Sequence, residues 1–251
     1  MAMLAVCTMV TGCARSPNAP DPLPTSLAPN TLVLRRHLSG GVGGIGGYGS
    51  VPDLSVYGDG RAVVARTDPS SRGRLPELRE YRLTPQALRR LIEDAFAAGL
   101  ARPRRVRRED VADAFTLTVR FGSAVTRIEH PGDDDPAVRF ADRRLDPRRW
   151  PVQDLAAPAR PYRIERLAAL FIPRSGASES PRAWPFAPPP EGRERPCVVL
   201  EGPDVERALR VAERAEGWTA WSVEGRVHAV RWRPLLPGEH GCADVTEPVP
   251  G

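Results

Sequence analysis

The run Gly41-Val42-Gly43-Gly44-Ile45-Gly46 matches the dinucleotide-binding pattern G-x-G-x-x-G. That pattern holds a pyrophosphate when a strand precedes it and a helix N-terminus follows, because the helix end supplies free N–H groups and a positive dipole. Here Tyr48 to Pro52 leads toward another strand, so the helix is missing and the glycines read as a loop. Asp133-Asp134-Asp135 offers oxygens to a hard cation, but consecutive carboxylates do not reproduce the alternating ligands of a calcium loop, and a solvated turn is expected. His37, His130, His228 and His240 lack the spacing of a zinc site and are assigned exposed or hydrogen-bonded roles. Ser39, Ser50, Ser55 and the other serines include no G-x-S-x-G elbow. Trp218, Trp221 and Trp232 with Arg231 and Arg233 would make an aromatic and cationic shelf for a ligand, or else cover the core of a small hairpin. These patterns assign no catalytic, cofactor-binding or metal-binding residue.

A covalent modification is better supported. Residues 1–12 are apolar and uncharged, and Val10-Thr11-Gly12-Cys13 resembles the lipobox of bacterial lipoproteins. The resemblance implies that residues 1–12 are the end of a signal peptide whose start lies upstream of Met1, and that Cys13 receives a diacylglyceryl group and palmitate. The segment is too short to span a bilayer. Residues 13–30 are proline-rich and polar, as a tether between a lipid and a folded body would be.

With that resemblance, the four cysteines divide cleanly. Cys7 leaves with the signal, Cys13 is acylated, and Cys197 and Cys242 remain as one pair in an oxidising compartment. His240-Gly241-Cys242 would set a thiol nucleophile beside its base, but an exported thiol with one available partner is expected in a disulfide.

Residues 1–251 include 36 basic and 31 acidic side chains, for a net charge of +5, and every basic one is arginine. The densest patch, Arg102, Arg104, Arg105, Arg107 and Arg108, has no interleaved aromatics and follows a helix stop. It reads as a solvated loop, so a nucleic-acid partner is not expected. The hydrophobic fraction of 41% and charged fraction of 27% are those of a globular chain. Only the 28 prolines stand out, and they concentrate at 17–29 and 181–196.

Several elements are legible. A strand starts at Leu32-Val33-Leu34. Alternating apolar residues on both sides of Gly58-Asp59-Gly60 predict a β-hairpin from Val56 to Val64. Thr84 caps a helix that Pro85 opens, with Leu88, Leu91, Ile92, Ala95 and Phe96 on one face and Gly99 as its stop. A second hairpin turns at Gly122-Ser123. Residues 142–160 read as charged and proline-broken, and Ile164, Leu167, Ala168 and Phe171 predict a short helix. Trp184 and Phe186 are expected to dock on the core. A strand at 197–200, a helix opened by Pro203 and a hairpin across Glu224-Gly225 follow.

Hairpins joined without crossovers predict an α+β fold of antiparallel β-hairpins packed with two to three helices. The expected parts are an N-terminal α+β part at 31–173, a proline-rich linker at 174–196, and a C-terminal β-α-β-β unit at 197–245 closed by the Cys197–Cys242 disulfide. The strings Pro52-Asp53-Leu54-Ser55-Val56-Tyr57-Gly58-Asp59-Gly60-Arg61 and Arg233-Pro234-Leu235-Leu236-Pro237-Gly238-Glu239 resemble uncharacterised lipoproteins exported by high-GC Gram-positive bacteria. That group brings no activity with it. The resemblance implies a lipid-anchored protein on the extracytoplasmic face of the cell membrane, and the leading expectation is a binding or structural module whose partner is an envelope protein or polymer. An envelope enzyme of hydrolase type and a cytosolic nucleic-acid binder are the alternatives.

Overall fold

The structure is a computed structural model and describes residues 22–24, 26–40, 46–66, 75–107, 114–175, 180–190, 192, 196–217 and 219–246. Cys7, Cys13, Gly41 to Ile45, Arg108 and Trp218 lie outside the described residues. The fold is α+β and mostly β, built on two mixed sheets with antiparallel hairpins.

The first sheet contains β1 (Leu32–Gly40), β2 (Leu54–Tyr57), β3 (Arg61–Arg66), β4 (Glu77–Leu83), β5 (Arg104–Val106), β6 (Phe115–Phe121), β7 (Ala124–Glu129) and β8 (Leu155–Pro161). Their order is β5-β7-β6-β1-β2-β3-β4-β8, with only β5 and β7 running parallel. Side chains alternate across a strand, so Leu117, Val119 and Phe121 share one face with Leu34 and Ile128. Helices α1 (Pro85–Ala97) and α2 (Pro136–Arg144) cover that face, and Leu88, Leu91, Ala95, Phe140 and Ala141 complete the core. Thr84 caps α1 as expected, its Oγ1 accepting from the Ala87 N–H at 3.2 Å.

The second sheet contains β9 (Arg166–Pro173), β10 (Arg182–Ala183), β11 (Cys197–Glu201), β12 (Ala220–Val223) and β13 (Arg226–Pro234), in the order β10-β12-β13-β9-β11. Helix α3 (Pro203–Arg214) packs Ala208 and Ala212 against Leu167, Phe171 and Trp232. Trp184 docks here as expected, stacked on Trp232 with ring centroids 5.6 Å apart. Phe186 lies 5.3 Å from Trp184. A single-turn helix α4 (Ala243–Thr246) lies near the end of the described chain.

Three segments differ from expectation. The helix expected at 164–171 is strand β9. Its apolar residues do fall at helical spacing, but they belong to a continuous run that suits a strand buried on both faces. Leu167, Ala169 and Phe171 meet one core, while Ala168 and Leu170 meet another. Because β9 lies between β13 and β11, the unit expected at 197–245 is not self-contained.

The proline-broken stretch holds the end of α2, two short 3-10 turns and β8, whose prolines are tolerated because β8 is an edge strand. The arginine patch is a loop only in part: Arg102 and Arg107 lie outside the strands, and the side chains of Arg102, Arg104 and Arg105 are exposed. Arg104 and Arg105 lie in β5, where Arg104 meets Asp135 at 2.7 and 2.8 Å and Arg105 meets Glu129 at 3.3 Å.

The β2–β3 hairpin turns where its glycines stand, with Gly60 at φ +80°. A Cβ there would come within 2.6 Å of the Leu83 carbonyl oxygen, on top of the strain of a left-handed backbone. Gly60→Val is therefore expected to lower unfolding free energy by more than about 1 kcal/mol, read from urea denaturation midpoints. An unchanged midpoint would show that the turn tolerates a side chain.

Candidate functional site

Along β1, β6 and β7 the face of the first sheet turned away from α1 and α2 is polar, whereas Tyr57, Val63 and Leu78 make the same face apolar on β2, β3 and β4. On β1, Arg35, His37 and Ser39 alternate with Leu34, Arg36 and Leu38. On β6, Thr116 and Thr118 alternate with Leu117 and Val119, and on β7, Arg127 and Glu129 flank Ile128. This alternation is the ordinary mark of a solvent-facing sheet surface. Here, however, the surface is partly roofed. Residues 46–50, Arg233 of β13 and the tail from Glu239 to Thr246 stand over it and enclose a cleft of about 530 Å³.

The roof is fastened to the floor by charge. Glu239 Oε1 accepts from Arg35 Nη2 at 3.1 Å and from Arg233 Nη2 at 3.0 Å, while its Oε2 accepts from the Leu236 N–H at 2.8 Å. Arg233 is 2% exposed and Glu239 5%. Arg35 Nε also donates to Ser55 Oγ at 3.1 Å, and Ser55 itself is fully buried. Burial pulls the Arg233 guanidinium down, with the Glu239 carboxylate opposing that shift and the neighbouring Arg35 adding to it.

Local sequence explains how Glu239 reaches this point. Leu236-Pro237-Gly238-Glu239 forms a tight turn in which the Glu239 N–H donates to the Leu236 carbonyl at 3.0 Å. Gly238 has φ +81°, and a proline followed by a left-handed glycine is the sequence of a type II turn. The turn folds the carboxylate back over its own first residue. Tyr162 steadies the approach by donating its hydroxyl to the Leu235 carbonyl at 3.0 Å.

His37 projects from β1 into the same cleft, with its Nε2 2.9 Å from Ser50 Oγ. Burial lowers the His37 pKa from its ordinary 6.5, with Asp53 opposing the shift and Arg35 and Arg233 assisting it. The ring is therefore held neutral near pH 7. Burial also raises the Tyr57 hydroxyl, which lies on β2 next to this cluster.

Cys197 and Cys242 come together in the apolar cluster of Ala168, Leu170, Leu235 and Val245. Their sulfurs are 2.08 Å apart and their Cα atoms 5.9 Å apart, across 45 residues of sequence. This geometry is that of a disulfide, and it would tie the tail carrying Glu239 to β11. In that bond Cys242 would not be a thiol held beside a base; the His240 N–H donates to Asp244 Oδ2 at 2.8 Å.

The remaining candidates are dispersed. Asp135 caps α2 by accepting from the Ala137 N–H at 2.8 Å. Burial pushes its carboxyl up, but bonds from Arg104 and from backbone N–H groups outweigh this and hold it below the ordinary carboxylate range. Asp133 and Asp134 turn their carbonyls toward Arg139. Among the described residues, no group of three His, Cys, Asp or Glu side chains is placed to hold a metal ion. His130 occupies a turn at φ 53°. His228 departs from its expected exposed or hydrogen-bonded role: it is buried edge-on to Phe171, and its Nδ1 lacks a hydrogen-bond partner.

Of the two readings of these tryptophans and arginines, Trp221 and Trp232 follow the core one, on the α3 side, and strand alternation separates them from Arg231, which donates to the Tyr48 carbonyl on the opposite side. The sequence reading of single motifs therefore missed the cleft. Its signal is the repeated polar alternation on β1, β6 and β7, which becomes a site only once the tail is known to cover it. Comparison with protein-family models, with curated proteins and with solved structures returns no match.

Chemically, the cleft presents guanidinium groups, hydroxyls of Ser39, Thr116 and Thr118, and a neutral imidazole. It is suited to a polar ligand carrying negative charge. A pH dependence follows from His37. Its folded pKa lies below 6.5, so the unfolded chain binds the extra proton first, and stability present above that value is lost as pH falls through the folded pKa. The melting temperature is expected to drop on acidification below pH 6.5, and His37→Gln to flatten that drop. An equal slope in wild type and variant would remove His37 from the explanation.

The cysteine geometry makes a further prediction. Closing a loop of this length stabilises by about 4 kcal/mol on the chain-entropy account. Reduction is expected to lower the denaturation midpoint, and a non-reduced digest to contain the Cys197–Cys242 cross-linked peptide. Alkylatable thiols at both positions in protein purified without reductant would refute the pairing.

Proposed function

We propose that the protein is a lipoprotein anchored through Cys13 to the extracytoplasmic face of the cell membrane, where it serves as a binding module for another envelope component. The observation that carries this reading is the approach of Cys197 and Cys242 to bonding geometry. Such pairs persist in oxidising compartments, and the two remaining cysteines are the lipobox-like Cys13 and the upstream Cys7. The 13–30 tether would hold the folded body clear of the headgroups. The polar cleft supplies a place for a ligand, and the ion pairs made by Arg104 and Arg105 weigh against a free arginine stripe for nucleic acid.

Expressed from its native start, the protein is expected to sediment with membranes and to enter detergent. Cys13→Ala should move it to the soluble fraction, because one acyl chain alone gives only marginal anchoring and none gives less. Equal membrane retention of the variant would overturn the lipoprotein reading.

One observation favours the enzyme alternative. A neutral His37 beside the Ser50 hydroxyl is the pairing that a general base and nucleophile require. Covalent labelling of Ser50 by a fluorophosphonate, lost in His37→Gln, would establish that reading. An unlabelled Ser50 would leave the binding role.

A further inference from the structure

We infer that the cleft is an oxyanion site in which Arg35 and Arg233 recognise a carboxylate or phosphate group carried on a larger polar ligand. This deepens the binding reading of the cleft and is independent of the lipid anchor.

Arg35 and Arg233 approach a single carboxylate, and both bond to the same oxygen, Glu239 Oε1. The other oxygen is taken by the Leu236 N–H. Two cations, one of them 2% exposed, are therefore set against one anion. Buried charges in proteins are paired, because a guanidinium removed from water loses its hydration and regains it only from an anion or from hydrogen-bond acceptors. Arg233 Nη1 donates to the Pro234 carbonyl, but its Nε is buried and has no hydrogen-bond partner, while Arg233 lines the cleft.

Three groups in the cleft lining are already committed or uncharged. Arg105 and Glu129 pair with each other across β5 and β7 at 3.3 Å. Asp244 accepts from the N–H groups of His240 and Gly241 at 2.8 and 2.9 Å, which commits one of its oxygens to its own turn. His37 is held neutral by burial and contributes no charge, and the Asp53 carboxylate acts on this ring. An oxyanion entering the cleft would supply the missing charge, and the planar fork of arginine fits a carboxylate or phosphate through two parallel bonds.

The space sets the size of the rest. About 530 Å³ exceeds a bare ion and falls within the range of small-molecule sites. Ser39, Thr116 and Thr118 face the ligand with hydroxyls that can both donate and accept. A polyhydroxylated body bearing one acidic group, such as an acidic sugar or a sugar phosphate, matches this lining.

The test is calorimetric titration of the full chain, with its cysteine pair intact, at ionic strength fixed by sodium chloride. The probes are inorganic phosphate, acetate, galacturonate and neutral galactose. Saturable binding of one ligand per chain is expected for phosphate or for the carboxylates, and none for galactose. The group that binds identifies the ligand's acid. Glu239→Gln removes the competing carboxylate and should tighten oxyanion binding about tenfold, although the variant's own melting temperature falls; a merely structural cluster would show the second effect without the first. Arg35→Gln should weaken binding at least about tenfold, a change equivalent to roughly 1.4 kcal/mol. If that variant does not fold, the wild-type and Glu239→Gln titrations decide the matter. Absence of saturable binding by every oxyanion, or binding in Glu239→Gln no tighter than in wild type, would overturn the site. Neither result bears on membrane anchoring, which Cys13→Ala tests separately.

Discussion

The arrangement of the molecule depends on where Glu239 is allowed to put its charge. A carboxylate 5% exposed must be met by cations or N–H groups, and three parts of the chain converge to provide them. Arg35 comes from the middle of the first sheet, Arg233 from the second, and the Leu236 N–H from the turn that carries Glu239. The two sheets share no strand. The ionic cluster therefore constrains how their facing surfaces align, in addition to the apolar contacts of Tyr57, Val63 and Leu78 with Leu236. A well-packed apolar replacement could match its stability, so its value to the fold lies more in specifying an arrangement than in adding strength.

Around that cluster, each sheet uses its two faces differently. The first buries aliphatic side chains under α1 and α2 and reserves Arg35, His37, Ser39, Thr116 and Thr118 for the other face. The second packs α3 and Trp184 on one side, while Ala168 and Leu170 on the other side meet Tyr48, Leu235 and Val245. The loop at 46–50 and the tail fill the space between. That filling is incomplete over the hydroxyl-bearing strands, and the gap is the cleft.

Much of the local structure was legible because its causes are local. The β2–β3 and β6–β7 hairpins follow from alternation and glycine turns, and α1 from a threonine cap, a proline and an apolar face. Strand β9 was misread because Ile164, Leu167, Ala168 and Phe171 satisfy helical spacing inside a run that is apolar throughout. Helix α2 was missed because its nine residues include four charged ones and present a short apolar face. The site was the least legible part, since Arg35 and Glu239 are 204 residues apart and neither belongs to a motif. Both strings that carry the lipoprotein resemblance nevertheless contribute to it, through Ser55 in one and through Arg233 and Glu239 in the other.

The position of β9 has a consequence for the order in which the protein can be built. Its five-residue apolar segment, Leu167 to Phe171, is synthesised before β11 and β13, the two strands that flank it. Until roughly the last quarter of the chain emerges, this segment has neither ladder partner and presents both of its faces. An unpaired apolar strand is a template for association between chains. Proline-rich residues follow it directly, and prolines cannot extend such a ladder. The proline-rich stretch at 181–196, which looks like a spacer between two parts, also separates this strand in sequence from its late-arriving neighbours, and its prolines are poor partners for an exposed ladder.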